Sequence, residues 1–327
     1  MGRYIIQRIV LTIPTIFAIS IVSFVIIQLP PGDFLTAYIT TLESGGQVVD
    51  QAQIDALRNQ YGLGEPVHIQ YLKWISRTLV GDFGYSFQWQ RPVSELIGER
   101  MLMTIILSVA SLLLVWAISL PIGIYSAVKQ YSPGDYFFTF ISFIGLGIPN
   151  FLLALVLMWW AYSYLGMSVG GLFSQQYADA PWSLARVLDL LAHLWIPAIV
   201  LAVGGIAGLI RIMRANLLDE LPRLYVTTAR AKGMKEGRLV LKYPVRVALN
   251  PFVSTIGWTL PGLVSGSIIV SVVLNLPTTG PMLLTALQSQ DMYLAGAILL
   301  LLSVLTVIGT LISDILLAWL DPRIRFN

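Results

Sequence analysis

Long uncharged runs alternate with short charged segments along this chain, and the lengths of the runs decide its class. Residues 9–29 carry no charge over 21 positions, and further apolar runs follow at 102–128, 136–164, 192–211, 251–275 and 292–318. A helix needs about 20 apolar residues to cross the hydrocarbon core of a bilayer. Two uncharged stretches, 136–178 and 247–290, exceed one span. The first ends in the polar, Gly-bearing SVGGLFSQQYADAP, and the second breaks at NLPTTGP, where Pro277, Gly280 and Pro281 fall together. Each therefore reads as one span plus an outer loop or a short re-entrant piece. The pattern predicts an all-α polytopic membrane protein with six transmembrane helices.

Charge orients these spans. With the N-terminus inside, the inner segments are 1–8, 129–135, 211–250 and 319–327, and they hold 14 Lys/Arg against five Asp/Glu. The outer segments 30–100, 165–191 and 276–291 hold six Lys/Arg against eleven Asp/Glu. Positive residues concentrate on the cytoplasmic side of membrane proteins, so both termini are expected in the cytoplasm. Three parts follow: residues 1–29, the N-terminus and first span; 30–100, an extracytoplasmic segment; and 101–327, a five-helix core containing a cytoplasmic loop at 211–250.

The outer segment carries helical signals. Asp50-x-x-Gln53 has the form of a capping box, Ile54, Leu57 and Tyr61 fall on one helical face, and Gly62 suits a helix end. A second helical pattern follows Pro66, with Tyr71, Trp74 and Ile75 clustered. Such a segment can cap the mouth of a pathway or simply brace the spans.

Composition narrows the chemistry. The chain is 56% hydrophobic and 11% charged with mean hydropathy +0.77, whereas soluble domains devote about a quarter of their residues to charge. It contains no Cys and two His, His68 and His193, which excludes disulfides and thiol catalysis and argues against a metal site. The N-terminal run is longer than a secretion signal's apolar region and lacks an A-x-A-like cleavage site, so it reads as a retained span. No Walker-type phosphate loop, H-E-x-x-H or EF-hand pattern occurs. Any ATP-driven step must therefore belong to another subunit.

Gly166-Met167-Ser168-Val169-Gly170 matches G-x-S-x-G, with Asp179, Asp189 and His193 following. That motif works on a strand-to-helix turn, and here it leaves the end of a membrane span, where the glycines serve better as a helix stop. Asp314 lies within the last span, a position where a carboxylate is a functional-site hypothesis, yet it sits within reach of interfacial water or a neighbouring basic group. Gly204-x-x-x-Gly208 and Gly262-x-x-x-Gly266 predict close helix approach. Trp159, Trp160, Tyr162 and Tyr164 suit an interfacial belt.

The loop at 211–250 holds nine Lys/Arg. A helix is predicted over 219–232: Asp219 can cap, Pro222 fits a first turn and Gly233 can stop it. One side shows Leu221, Leu224, Tyr225, Thr228 and Ala231, bulky first and small later. A second helical piece begins near Lys235, with Leu239, Val240 and Tyr243 recurring before Pro244. Two short helices joined by glycine make a docking knob for a protein, its small residues Thr227, Thr228, Ala229 and Ala231 allowing close approach. A basic amphipathic helix lying on lipid is the other reading, and pattern alone leaves both open.

TTARAKG, Thr227 to Gly233, resembles the EAA loop of inner-membrane permeases of binding-protein-dependent ABC importers, whose frame is E-A-A, three residues and glycine. Thr227 stands at the Glu position and the later Leu-Pro element is missing, as in the dipeptide/oligopeptide/nickel branch with its T-A-R-A-K-G. The opening RYIIQRIVLTIPTIFAISIVSFVIIQLPPGD, then YGLGEPVHIQYLKWISRTLVGDFGYSF, PVSELIGERMLMTIILSVASLL, GLGIPNFLLALVLM and the closing DPRIR resemble that branch in order, over nearly the whole chain.

The resemblance implies a type I ABC importer fold in the cytoplasmic (inner) membrane. It implies pairing with a second homologous permease, two cytoplasmic ATP-binding subunits and an extracytoplasmic substrate-binding protein, and no nucleic acid. ATP and Mg would bind the partner ATPases, with no cofactor in this chain. The implied coupling residues are Leu224, Thr227, Thr228, Ala229, Arg230, Ala231, Lys232, Gly233 and Met234, with no catalytic or metal-binding residue. The implied activity is translocation of di- or oligopeptides by alternating access. Oligosaccharide or nickel transport by the same mechanism is the alternative, and an ion-coupled secondary transporter is a second class.

Overall fold

The structure is a computed structural model that describes residues 2–28, 65–86, 88–166, 170–255 and 268–320. Its helices are α1 (Gly2–Gln28), α2 (Val67–Leu79), α3 (Val93–Val128), α4 (Pro133–Gly147), α5 (Asn150–Leu165), α6 (Leu184–Glu220), α7 (Leu224–Ala231), α8 (Glu236–Lys242), α9 (Pro244–Ser254), α10 (Thr279–Gln288) and α11 (Met292–Leu320). Among the described residues the only sheet is a short antiparallel pair, β1 (Tyr85–Ser86) with β2 (Arg91–Pro92). The chain divides into two compact units. One comprises Met1–Ile9, Met103–Pro281 and Leu305–Asn327, and the other Val10–Leu102 and Met282–Val304.

Four helices among the described residues, α1, α3, α6 and α11, are long and apolar enough to cross a membrane, and α4 with α5 makes a fifth if that bent pair is one span. The residues of the span expected at 136–164 form the pair α4 and α5, which meet at 103°. The cause is local. Pro149 cannot donate to the helical ladder, and Ile148 before it is forced into extended backbone at φ −84°, ψ 122°. The span expected at 251–275 includes residues 256–267, outside the described set, as do Pro261 and Gly262-x-x-x-Gly266. Residues 268–273 are helical.

In the first unit, α6 is the central element, with α4, α5 and α9 packed against it. Its 37 residues make a rod of about 55 Å, longer than the expected 192–211. Ser183 starts it by accepting a hydrogen bond from the Arg186 amide at 3.2 Å. Leu190, Leu194, Leu201, Leu209, Met213 and Leu217 form its buried stripe. Its end corrects the helix expected over 219–232. Asp219 lies inside the last turn of α6, and Pro222, which cannot continue the ladder, ends that helix and forces a turn before α7.

Close helix approach also falls elsewhere than the sequence suggested. A Cβ at Gly204 or Gly208 would meet open space, whereas at Gly123 it would stand 2.7 Å from Met213 Cβ, and at Gly145 2.9 Å from Val203 Cγ1. These two glycines let α3 and α4 lie close against α6.

In the second unit, Tyr71, Trp74 and Ile75 of α2 pack with Phe24 and Ile27 of α1 and with Tyr293 and Leu300 of α11. The cluster expected after Pro66 is thus an amphipathic helix seated on apolar helix faces. Asp291 fastens the sheet by accepting from Ser86 Oγ at 2.5 Å and from the Gln88 amide at 3.3 Å. The elements expected around Asp50, Gln53, Ile54, Leu57, Tyr61 and Gly62 lie outside the described residues.

Candidate functional site

The basic loop folds into α7, a glycine turn and α8. Arg223 in extended backbone (φ −63°, ψ 146°) caps α7, and its carbonyl accepts from the Val226 amide at 2.9 Å. After α7, Gly233 adopts φ +76°, a left-handed conformation that glycine enters without steric cost. That turn links α7 to α8. Met234 closes it, its amide donating to the Ala229 carbonyl at 3.4 Å.

Burial divides the segment into an anchor and a ridge. Val226 (0% exposed), Ala229 (8%), Leu239 (0%) and Val240 (4%) are inside. They join Met213 and Leu217 of α6 and Val245, Ala248 and Phe252 of α9 in one apolar cluster, with Met234 packed at its edge. Leu224 (84% exposed), Thr227, Thr228, Arg230, Ala231, Lys232 and Gly233 face outward. Of the small residues expected on the docking face, Ala229 instead packs inward. Its size serves the fit of α7 to the chain's own core.

The threonine hydroxyls are committed within the helix. Thr227 Oγ1 donates to the Arg223 carbonyl at 3.1 Å and Thr228 Oγ1 to the Leu224 carbonyl at 2.8 Å. This back-bonding satisfies the hydroxyls locally. Thr227, at the position of the resembled family's glutamate, therefore brings no carboxylate to the ridge.

A clamp that sequence reasoning missed locks the turn. Arg230 Nε and Nη2 donate to the Glu236 carboxylate at 3.1 and 2.6 Å, a bidentate fork that fixes orientation as well as distance. The Arg230 hydrogen bond holds the Glu236 carboxyl below its ordinary value. At the head of α7, Tyr225 Oη donates to Glu220 at 2.6 Å; burial, then that bond, pushes its phenol upward. The signal for the clamp was the lone acid of the turn, six residues after Arg230. Lys232, Lys235 and Arg238 remain exposed.

A second ion pair also went unforeseen. Asp135, 2% exposed, accepts from Arg214 Nε at 3.0 Å and Nη2 at 2.9 Å, and from the Tyr131 amide at 3.0 Å. It bolts the start of α4 to the C-terminal part of α6. Asp135 was readable as the lone acid of a short inner loop; its partner among nine basic residues was not.

Asp314 forms an ion pair with Arg8 at 3.2 Å, a neighbouring base of the kind expected for it. Of the G-x-S-x-G match and the residues that follow it, Asp189 and His193 lie 3.7 Å apart on one helix. Gly166 is the left-handed cap (φ +63°) of a helix and not the end of a strand. Met167, Ser168 and Val169 lie outside the described residues. Asp189 accepts from Ser174 N at 2.7 Å and Oγ at 2.6 Å, holding a loop, and Asp179 is exposed. Among the described residues no His, Asp or Glu group has metal-binding geometry.

The anchored knob thus lies in a chain built mainly of long apolar helices. The chain belongs to the family of binding-protein-dependent transport system inner membrane components, which it matches over residues 119–326, with that family's N-terminal part matched over residues 1–108. It is an integral, multi-pass inner-membrane permease of a binding-protein-dependent ABC importer and not the ATPase of such a system. It is 38% identical over 328 residues, 100% of each chain, to the oligopeptide transport system permease protein AppB of Bacillus subtilis (strain 168). It is 32% identical over 329 residues, again 100% of each, to the glutathione transport system permease protein GsiC of Salmonella typhimurium (strain LT2). Its fold is similar to a chain of the inward-facing MetNI methionine ABC transporter, with TM-score 0.55 and 19% identity over 69% of this chain and 96% of that one.

Proposed function

We propose that this chain is one of two permease subunits of an ATP-driven importer that carries di- and oligopeptides across the cytoplasmic membrane by alternating access. The observation that carries this reading is the ridge of α7. Exposed Leu224, Thr227, Thr228 and Ala231 stand on a helix whose other face is sealed into the core by Val226 and Ala229. A short-side-chain ridge can seat deeply in a cleft of a cytoplasmic ATPase, and its buried roots pass displacement to α6 and α9 with little slack. The ATPase shifts the permease equilibrium only through contacts that differ between its states, and this ridge supplies such contacts. The Arg230–Glu236 clamp keeps α7 and α8 moving as one body.

The assembly on this reading holds a second homologous permease, two ATP-binding subunits that carry ATP and Mg, and an extracytoplasmic substrate-binding protein. Six spans in a type I arrangement place both termini in the cytoplasm. Residues 1–29 form the N-terminus and first span, 30–100 the extracytoplasmic segment, and 101–327 the core with its coupling loop at 211–250. The oligopeptide and glutathione names of the relatives favour peptides over oligosaccharides or nickel. The test is reconstitution of the whole complex in vesicles. Ala231→Arg, at an exposed position, is expected to abolish peptide uptake while ATP hydrolysis persists. Normal uptake by this variant refutes the docking role, and oligosaccharide or nickel recovered on the co-purified binding protein refutes the substrate class.

A further inference from the structure

A cleft of about 210 Å³ opens between the first turns of α4 and the inner part of α6. Phe143 and Ile210 line it with apolar surface, Thr139 and Ser142 add hydroxyl-bearing side chains, and Tyr131 and Arg211 also line it. Its two arginines are not equivalent. Arg214 is neutralised by the buried Asp135 through two short hydrogen bonds. Arg211 is exposed and has no carboxylate partner among the described residues; its guanidinium lies 5.7 Å from the centroid of the Phe143 ring. The cleft therefore carries one uncompensated positive charge beside an apolar wall. Nearby on α4, Tyr136, Phe137 and Phe140 are each more than half exposed.

We infer that this cleft binds the headgroup of an anionic phospholipid of the inner leaflet, with Arg211 on the phosphate and an acyl chain along the Phe140–Phe143 face. The inference rests on the proposed topology, which sets residues 129–135 and 211–250 at the cytoplasmic surface. Basic pockets between membrane helices on that side are suited to acidic headgroups. Aromatic rings at the headgroup level favour the same depth. A lipid held here touches both partners of the Asp135–Arg214 bolt, two turns from the coupling knob, so inner-leaflet composition bears on coupling.

The test uses the intact complex in nanodiscs and detergent, with native mass spectrometry as readout. Phosphatidylglycerol is expected to remain bound to the wild type in preference to phosphatidylcholine. Arg211→Gln should reduce that retention about fivefold, the effect of one Arg near an anionic surface, and Arg211→Lys should keep most of it. Thr139→Trp, which fills the cleft and leaves the charge, should also lose the lipid. Peptide uptake measured on the same preparations separates failure of this inference from failure of the transport reading. Equal retention by Arg211→Gln and wild type overturns it. So does displacement of the lipid by millimolar inorganic phosphate, which marks a free-anion site. Photo-crosslinking from position 139 to a second permease, with no lipid adduct, overturns it as well.

Discussion

Leu239→Ala is the sharpest probe of how force reaches the spans. Leu239 is fully buried and roots α8 in the cluster shared by α6, α7 and α9. The substitution removes three carbons, about 2.4 kcal/mol at ~0.8 kcal/mol per buried methylene, and the cavity it leaves brings the cost into the range of roughly 2–5 kcal/mol. The long apolar helices do not depend on this residue, so the loss falls on the attachment of the knob. Local opening of α7 and α8 should become about fiftyfold more frequent, the equivalent of ~2.4 kcal/mol. Hydrogen exchange of the Val226 and Ala229 amides measures the opening. ATP hydrolysed per peptide taken up in vesicles measures its consequence. The expected result is fast exchange, hydrolysis that continues and uptake that falls. Unchanged exchange refutes the anchoring argument, and fast exchange with an unchanged ATP-to-peptide ratio refutes rigid transmission.

Arg214→Ala leaves the buried Asp135 carboxylate unpaired and should cost about 3–5 kcal/mol, read as a lowered Tm, with Asp135→Asn in the same chain restoring part of it. Gly123→Val meets Met213 and should destabilise by about 1–3 kcal/mol, whereas Gly204→Ala meets open space and should be neutral or raise Tm slightly. Because the folded-state Glu236 carboxyl titrates below its unfolded value, the clamp contributes fully above the ordinary glutamate range and is lost as pH falls through the lowered value. Proteolysis of the 233–236 turn should therefore accelerate only in acid for the wild type. Glu236→Gln should be cleaved readily at neutral pH; equal cleavage of the two proteins at pH 7 contradicts the clamp.

The hydrophobic runs made the class and the main helices legible because a bilayer imposes a length rule that few soluble elements meet. Tyr71, Trp74 and Ile75 were legible as a cluster for a related reason: a helical period exposes its apolar face in the sequence itself. Boundaries set by competing punctuation were harder. Asp219 and Pro222 fit a helix start, but α6 had enough apolar stripe left in Met213 and Leu217 to run through to Glu220, so Pro222 ends a helix and does not begin one. A proline beside a span signals a hinge, but the size of the bend at Pro149 was not legible because both flanks are equally apolar. At the knob, composition identified the segment but not its facing. Ala229 and Ala231 are the same residue two positions apart, and only the partner surface of α6 and α9 turns one inward and leaves the other out. The Arg230–Glu236 and Asp135–Arg214 pairs depend on contacts across turns and between helices, where choosing one base among many requires geometry.

Cysteine cross-linking tests the central claim most directly, because the chain contains no Cys and each introduced thiol is unique in it. Thr228→Cys and Ala231→Cys on the ridge should each form a disulfide with a cysteine placed in the cleft of the ATPase and should then halt peptide uptake. Val226→Cys, on the buried face, should not. Cross-linking from Val226→Cys, or labelling of positions 228 and 231 by lipid-borne reagents with no ATPase adduct, would contradict the account.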